Sequence, residues 1–249
     1  MRSKLTHGSL FAGIGGFDLG FERAGFQTIW QVERDDFCLE LLERYYPNVR
    51  RLRDIADAEN ANLETPTVIT GGFPCQPVSI AGQRRAQADA RWLWPTMCSI
   101  IAKLRPPFVV IENVPGLLSA GYDEVCADLE SEAYAVGTLI IPACAFGYPH
   151  LRNRLWILAY TESMRMAGRG AAGCGGSARQ SLSASVVPPG DWQTIADQLC
   201  RMDDGLSHRV YQGKERGKAL GNAVVPQIAE ELAWMIRQAE EMLVDGPPL

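Results

Sequence analysis

The chain has 249 residues, of which 47% are hydrophobic, enough for one large α/β core or for a core with a small satellite. Its seven cysteines, an odd number, form no Cys-x-x-Cys pair, which argues against a disulfide framework or a zinc ribbon. This pattern predicts a protein of the reducing cytoplasm. The net charge of −5 neither indicates nor excludes nucleic acid, because 20 of the 24 basic residues are arginine, a residue suited to phosphates and base edges.

Strand and helix patterns alternate through the first two-thirds of the chain. A glycine turn at residues 13–16 leads into a first helix, and an amphipathic helix around Leu41 follows the second strand. This alternation predicts a doubly wound α/β sheet. The predicted strands are Ser9–Ala12, Gln27–Val32, Val68–Ile69, Phe108–Ile111, Leu139–Ile141 and Leu155–Leu158.

The pattern changes after residue 160. Residues 168–185 are rich in Gly, Ala, Ser and Arg without sustained periodicity, which is typical of a loop or an insert. A last helix follows Pro226 and carries an apolar stripe from Ile228 to Leu243. We therefore expect one large domain over residues 1–160 and 203–249, interrupted by an insert over residues 161–202, with the C-terminal helix packing back onto the core.

The glycine turn indicates a cofactor. Gly13-Ile14-Gly15 resembles the start of a dinucleotide fingerprint, but the third glycine of that pattern would fall on Asp18. Glu33 ends the second strand, where an acidic side chain can bind a ribose diol. The pattern favours an adenosine-bearing cofactor, not necessarily one with a pyrophosphate; the alternative is a tight strand–helix connection.

Cys75 stands between Pro74 and Pro77, just past a predicted strand. A thiol there would face the crevice at the carboxyl end of the sheet, where α/β proteins place their chemistry. The prolines restrict the backbone on both sides. The alternative is a small buried residue in a tight turn.

Two further groups are candidates for chemistry. Glu112 follows a buried strand, so desolvation should raise its pKa and make its neutral acid form accessible near neutral pH; the alternative is a structural carboxylate bound by backbone amides. Arg152 and Arg154 enter another strand on the same side and could meet a substrate oxygen; the alternative is a solvated pair.

These motifs occur in the order found in one enzyme family. The chain resembles the DNA (cytosine-5)-methyltransferases, especially the compact phage and bacterial enzymes, over nearly its whole length except roughly residues 161–205. The resemblance implies a Rossmann-like S-adenosylmethionine-dependent methyltransferase sheet with a shortened target-recognition insert. The matching motifs are Phe11-Ala12-Gly13-Ile14-Gly15-Gly16, Pro74-Cys75-Gln76, Glu112-Asn113-Val114, Arg152-x-Arg154 and Gly221-Asn222-Ala223-Val224-Val225-Pro226.

The resemblance also implies roles for the catalytic candidates. Cys75 would attack carbon 6 of cytosine while Glu112 donates a proton to ring nitrogen 3. Arg154 would hydrogen-bond the oxygen at carbon 2, and Arg152 would hold Glu112 or the base. The target base has to leave the duplex stack for this chemistry.

S-adenosylmethionine is the implied cofactor, with S-adenosylhomocysteine as product and no metal. Leu93 is placed by counting back from Glu112, because its local motif is one residue shorter than is common. The implied cofactor-binding residues are Phe11, Ala12, Gly13, Ile14, Gly15, Gly16, Phe17, Glu33, Asp54, Ile55, Gly72, Pro74, Leu93, Asn222 and Val224. The implied DNA-binding residues, on a mobile catalytic loop, are Ser79, Gln83, Arg84, Arg85 and Arg91.

We expect a monomer that acts on double-stranded DNA in the cytoplasm of a bacterial or phage-infected cell, without a membrane partner. Thr161 to Arg201 leaves only 41 residues for target recognition, so either recognition is short or a partner contributes to it. Two other classes remain as alternatives. A nicotinamide-dependent oxidoreductase would leave Cys75, Glu112 and Arg154 unexplained, and a catalytically silent DNA-binding relative would usually have lost the thiol or the acid. An RNA-directed relative is a third alternative.

Overall fold

The protein is described here by a computed structural model that covers residues 4–74, 92–146, 152–161, 219 and 222–245. The described strands form a seven-stranded sheet in the order β3-β2-β1-β4-β5-β7-β6. The strands are β1 (Thr6–Leu10), β2 (Gln27–Val32), β3 (Arg50–Leu52), β4 (Val68–Gly71), β5 (Phe108–Asn113), β6 (Tyr134–Pro142) and β7 (Asn153–Thr161). The helices are α1 (Gly16–Arg23), α2 (Asp36–Tyr45), α3 (Ile55–Asn60), α4 (Trp94–Leu104), α5 (Tyr122–Ser131) and α6 (Pro226–Asp245).

Strand direction determines which residues meet at the edge of the sheet. Strands β1 to β5 pair in parallel with their neighbours, whereas β7 runs antiparallel to both β5 and β6. The start of β7 therefore lies at the same edge as the carboxyl ends of the parallel strands. The predicted doubly wound α/β sheet is confirmed.

Helices cover both faces of the sheet. On one face, Phe21 of α1 and Leu232 of α6 pack with Trp156 of β7. On the other face, Met97 of α4 and Leu129 of α5 pack against the inner strands. Since both faces are covered, β4 and β5 are buried along their whole length, as their continuous apolar runs predict.

The C-terminal helix approaches α1 closely. A Cβ added to Gly20 of α1 would lie 2.6 Å from the Cβ of Ala229 in α6. Only a residue without a side chain permits this approach, so the glycine docks α6 onto the core. The side chain of Leu243, at the far end of the predicted apolar stripe, lies outside the described residues.

Some elements differ from the sequence prediction. Strand β1 ends at Leu10, so Phe11 and Ala12 already belong to the turn. The short strand β3 and helices α3, α4 and α5 had no predicted counterpart. The insert lies outside the described residues apart from Thr161, which ends β7. Within the described ranges, no helix combines the length and the apolar character that crossing a membrane requires.

Candidate active site

The candidate residues meet at one edge of the sheet. The glycine turn, Glu33 and Asp54 follow β1, β2 and β3, which are adjacent strands. Gly72 follows β4, Glu112 lies near the end of β5, and Arg154 lies at the start of β7. The two groups join where β1 meets β4, which is the crevice where open α/β sheets bind their ligands.

The glycine turn has backbone angles that favour glycine. Gly13 and Gly15 have φ angles of 56° and 85°, and Gly15 is the N-cap of α1 without any side-chain cap. A Cβ added to Gly13 would meet no atom within 4 Å, so this side of the turn is open. The opening of the turn is therefore at Gly13, whereas Gly15 and Gly16 at the start of α1 are buried.

Glu33 holds this turn. Its Oε2 accepts a hydrogen bond of 2.7 Å from the backbone N–H of Gly13. Its Oε1 accepts from the backbone N–H groups of Arg34, at 2.9 Å, and Asp35, at 2.8 Å. The side chain therefore links the end of β2 to the turn after β1, beside the place where the resemblance puts a ribose.

The other cofactor candidates differ in exposure. Asp54 is exposed and caps α3 by accepting from the N–H of Ala56 at 2.9 Å, while Ile55 is buried in the core. Leu93 is half-buried and is the N-cap residue of α4. Phe17 is 2% exposed and packs edge-on against Trp156, so its side chain belongs to the core. Ala12 and Ile14 are also buried, whereas Phe11 is half-buried and Pro74 is exposed.

Glu112 is the buried acid of the site. It is 8% exposed, and its Oε1 lies 2.9 Å from Nε of Arg154. Burial raises the pKa of Glu112 above its ordinary value, and the positive charges of Arg154 and Arg152 oppose that rise. The side chain can therefore hold a proton at a higher pH than an exposed glutamate, and the nearby arginines can bind an oxygen atom of a ligand.

The two arginines differ from each other in their direct hydrogen-bond partners, although the positive charges of both act on Glu112. Arg154, expected on the base, forms the ion pair with Glu112. Arg152, expected on Glu112 or the base, donates a hydrogen bond of 2.8 Å to the carbonyl oxygen of Ala223. The register explains the difference. Trp156 lies opposite Glu112, so Arg154 is the diagonal neighbour of the acid and Arg152 lies one step farther away.

The chain that leads to Cys75 contacts this acid. A Cβ added to Gly72 would lie 3.4 Å from Oε2 of Glu112 and 3.2 Å from its carbonyl oxygen. Next along the chain, the carbonyl oxygen of Phe73 accepts a hydrogen bond of 3.1 Å from Nδ2 of Asn113. The residues just before Cys75 are thus fixed against the end of β5.

The C-terminal segment contacts both halves of the site. A Cβ added to Gly16 would lie 2.5 Å from the carbonyl oxygen of Val224. The preceding residue, Ala223, accepts the hydrogen bond from Arg152. Asn222 is exposed next to this contact. The segment therefore joins the glycine turn to the start of β7.

Several candidates lie outside the described residues, namely Cys75, Ser79, Gln83, Arg84, Arg85 and Arg91. Among the residues that are described, no cluster of three or more His, Cys, Asp or Glu side chains could hold a metal ion.

The sequence motifs did not identify every residue that shapes the site. Asn113 was quoted within a motif, but its bond to Phe73 requires β4 and β5 to be neighbours. Gln31 and Arg51 were not singled out, although both belong to a hydrogen-bond network that includes the buried Asp18 of α1. A polar Gln31 between the apolar Trp30 and Val32 was the available signal.

Known proteins match this chain along most of its length. The family model of the C-5 cytosine-specific DNA methylases matches residues 5–202. The Type II methyltransferase M.AplI of Arthrospira platensis is 34% identical over 168 residues, which cover 64% of this chain and 47% of that protein. M.NlaX of Neisseria lactamica, also a Type II methyltransferase, is 27% identical over 252 residues, covering 96% of this chain and 78% of that protein.

A solved structure has a similar fold, but several relatives extend well beyond the part that matches this chain. The Entamoeba histolytica methyltransferase EhMeth has a TM-score of 0.62 at 13% identity, covering 95% of this chain and 99% of that one. The chain spans about half the length of several curated relatives that it matches. The family model nevertheless covers well over half of the chain, together with the glycine turn, Glu112 and Arg154. This chain belongs to the C-5 cytosine-specific DNA methylase family.

Proposed function

We propose that this protein transfers a methyl group from S-adenosylmethionine to carbon 5 of a cytosine flipped out of duplex DNA. The family supports methylation of cytosine in DNA. The observation that carries the proposal is the position of Glu112, a buried acid that pairs with Arg154 and lies beside Gly72. Cys75 comes three residues after Gly72, so the two Cα atoms can be no more than about 11 Å apart.

The residues around the glycine turn fit S-adenosylmethionine. The side of Gly13 that would carry a Cβ is open, and Glu33 offers carboxylate oxygens beside it for a ribose diol. Exposed Asp54 at the start of α3 would accept the adenine amino group, with Ile55 and Leu93 as apolar neighbours. The cofactor supplies an electrophilic methyl group when bound, and this chain's residues bind and orient it next to the start of α1.

Cys75 and Glu112 would activate the base together. Carbon 5 of cytosine is a weak nucleophile until the thiolate of Cys75 forms a bond to carbon 6 and the proton of Glu112 moves to nitrogen 3. Carbon 5 then takes the methyl group and releases S-adenosylhomocysteine. Water or hydroxide removes the proton on carbon 5, the bond between Cys75 and carbon 6 breaks to restore the thiolate, and nitrogen 3 returns its proton to Glu112. Covalent addition divides one difficult step into easier ones, and a positioned acid contributes about 10²–10⁴-fold to the rate.

The raised pKa of Glu112 supports its role as the acid. Burial makes the neutral carboxyl more accessible near neutral pH than it is for an exposed glutamate. Arg154 holds the carboxylate in place at 2.9 Å and would hydrogen-bond the oxygen at carbon 2 when the base arrives. Arg152 would hold the C-terminal segment through Ala223.

Binding to duplex DNA would depend on residues beyond the described part of the chain. We propose that Ser79, Gln83, Arg84, Arg85 and Arg91 contact the DNA, with the arginines on phosphates. Such contacts would make binding weaken as salt rises. A monomer in the cytoplasm of a bacterial or phage-infected cell remains a prediction.

The test is methyl transfer to defined nucleic acids. The protein is incubated with radiolabelled S-adenosylmethionine and duplex DNA, RNA or neither, and the nucleic acid is then digested to nucleosides. We expect the label only in 5-methyl-2′-deoxycytidine from the DNA. The Cys75→Ser variant should give no label. Label in RNA alone would identify an RNA-directed enzyme, and no label in any nucleic acid would refute the proposal.

A further inference from the structure

A buried carboxylate lies beneath the glycine turn and has no part in the proposed chemistry. Asp18, where a dinucleotide fingerprint would have its third glycine, is 0% exposed in the first turn of α1. Its Oδ2 accepts a hydrogen bond of 3.1 Å from the hydroxyl of Ser9, and its Oδ1 accepts one of 2.9 Å from Nε2 of Gln31. These bonds attach the start of α1 to β1 and β2.

Arg51 fixes the orientation of the amide that holds Asp18. Its Nε donates a hydrogen bond of 3.0 Å to Oε1 of Gln31. Because a guanidinium has donors and no acceptor, the oxygen of Gln31 has to face Arg51 and the amino group has to face Asp18. Without Arg51 the amide could rotate and present its oxygen to the carboxylate.

Arg51 also binds the C-terminal end of helix α2, which packs against the glycine turn. Its second terminal nitrogen donates to the carbonyl oxygens of Leu42, at 2.7 Å, and Tyr46, at the end of α2. A positive charge stabilises this end of a helix. The side chains of the same two residues face the turn, because a Cβ added to Gly15 would lie 3.2 Å from Leu42 and 3.3 Å from Tyr46.

We propose that Arg51 is a positioning residue for the cofactor-binding turn, acting through Gln31 and Asp18 on one side and through the end of α2 on the other. The proposal rests on the proposed function, because it assumes that the turn binds S-adenosylmethionine. Glu33 holds the first part of the turn through Gly13, and Arg51 holds the part that enters α1. Arg51 itself makes no contact with the cofactor in this role.

The test replaces Arg51 with an apolar side chain of similar length and compares a neighbour on the same strand. Arg50→Met is the matched control, because Arg50 donates a single exposed hydrogen bond of 2.8 Å to the carbonyl oxygen of Asn62. The dissociation constants of S-adenosylmethionine and S-adenosylhomocysteine are measured by titration calorimetry, unfolding in urea gives the stability, and methyl transfer is followed at saturating cofactor.

We expect Arg51→Met to raise the cofactor dissociation constant about tenfold or more, which corresponds to about 1.4 kcal/mol. At saturating cofactor its kcat should stay within about threefold of the parent, because the acid and the thiol are untouched. Arg50→Met should leave both values unchanged. This split between affinity and turnover separates positioning from a general loss of structure, which would lower the active fraction at any cofactor concentration.

A double-mutant cycle tests the route through Gln31. If Arg51 acts through Asp18, the double variant should raise the cofactor dissociation constant by less than the product of the fold-changes of Arg51→Met and Asp18→Asn. Should Arg51→Met fail to fold, Arg51→Lys and Asp18→Asn decide the question, since a lysine ammonium cannot reproduce the planar fork that bonds both Gln31 and α2.

The outcomes of the two proposals can be told apart. A parent protein that binds no S-adenosylmethionine would refute the proposed function. A parent that binds the cofactor while folded Arg51→Met and Asp18→Asn bind it within twofold of the parent would overturn the positioning role. An equal loss of affinity in Arg50→Met would overturn it as well, because the effect would then be that of any arginine on β3.

Discussion

Replacing Asp18 with asparagine should change how the free energy of unfolding depends on pH. Complete burial raises the pKa of Asp18 from its ordinary value of 3.8 to about 6, although the hydrogen bonds from Gln31 and Ser9 oppose the rise. The folded protein thus binds this proton more tightly than the unfolded chain does. The stabilising effect of that proton is fully present below pH 3.8 and is lost as the pH rises through about 6.

The size of the effect follows from the two pKa values. At about 1.36 kcal/mol for each pKa unit, the difference between 3.8 and about 6 corresponds to about 3 kcal/mol. His7 changes stability in the opposite direction, because burial lowers its pKa to about 3 and keeps the imidazole neutral in the folded state. Its contribution is present above pH 6.5 and is lost as the pH falls.

The measurement therefore has to be a difference between two proteins. Urea unfolding at pH 4, 5, 6 and 7, followed by circular dichroism, gives the unfolding free energy of the parent and of Asp18→Asn, and His7 contributes to both. We expect the parent's advantage over the variant to shrink by about 2 kcal/mol between pH 4 and pH 7, somewhat less than the full difference, because at pH 4 this carboxyl is already partly ionised in the unfolded chain. Asp54→Asn is the control, because Asp54 is an exposed helix cap that asparagine can replace. A parent–variant difference that stays constant within about 0.5 kcal/mol would refute the reasoning.

Three further predictions concern the proposed chemistry. Cys75→Ser should abolish methylation while its S-adenosylmethionine affinity, measured by calorimetry, stays within a few-fold of the parent, because a serine hydroxyl is a far weaker nucleophile than a thiolate; substantial turnover by this variant would remove Cys75 from the nucleophile role. Glu112→Gln should lower the single-turnover rate by about 10²–10⁴-fold, because an amide cannot supply the proton; a rate within a few-fold of the parent would make Glu112 structural. Duplex DNA with 5-fluorocytosine at the target should give a denaturation-resistant adduct that requires S-adenosylmethionine, because fluorine cannot leave as a proton; no adduct on a sequence that the enzyme methylates would exclude covalent addition.

The elements that the sequence predicted best are those whose signal is local. Strand β2 occupies the predicted residues from Gln27 to Val32, and the buried run of β5 begins at the predicted Phe108. Glu112 lies at the sheet edge because it follows that apolar run, which the sequence alone shows. In each case, periodicity and burial are properties of a few consecutive residues.

The partners of the site residues could not be predicted in the same way. The ion pair between Arg154 and Glu112 depends on the register that places Trp156 opposite the acid, and this register is set by two whole strands. Strand β3 has three residues and begins with Arg50 and Arg51, so it carries no apolar pattern at all. The proposed role of β3 depends on the hydrogen bonds of Arg51 to Gln31 and to the end of α2. These form only when the strand lies next to β2.

The C-terminal segment shows the same limit over a longer distance. Ala223 accepts a hydrogen bond from Arg152, which is 71 residues earlier in the chain, and Val224 lies against Gly16. Neither contact can be predicted from the residue types of the C-terminal segment, because both use its backbone carbonyl oxygens. Because these contacts join the glycine turn to the start of β7, Ala223 and Val224 help to build both halves of the site. A change at Gly16 should therefore disturb the residues around the acid as well as those around the cofactor.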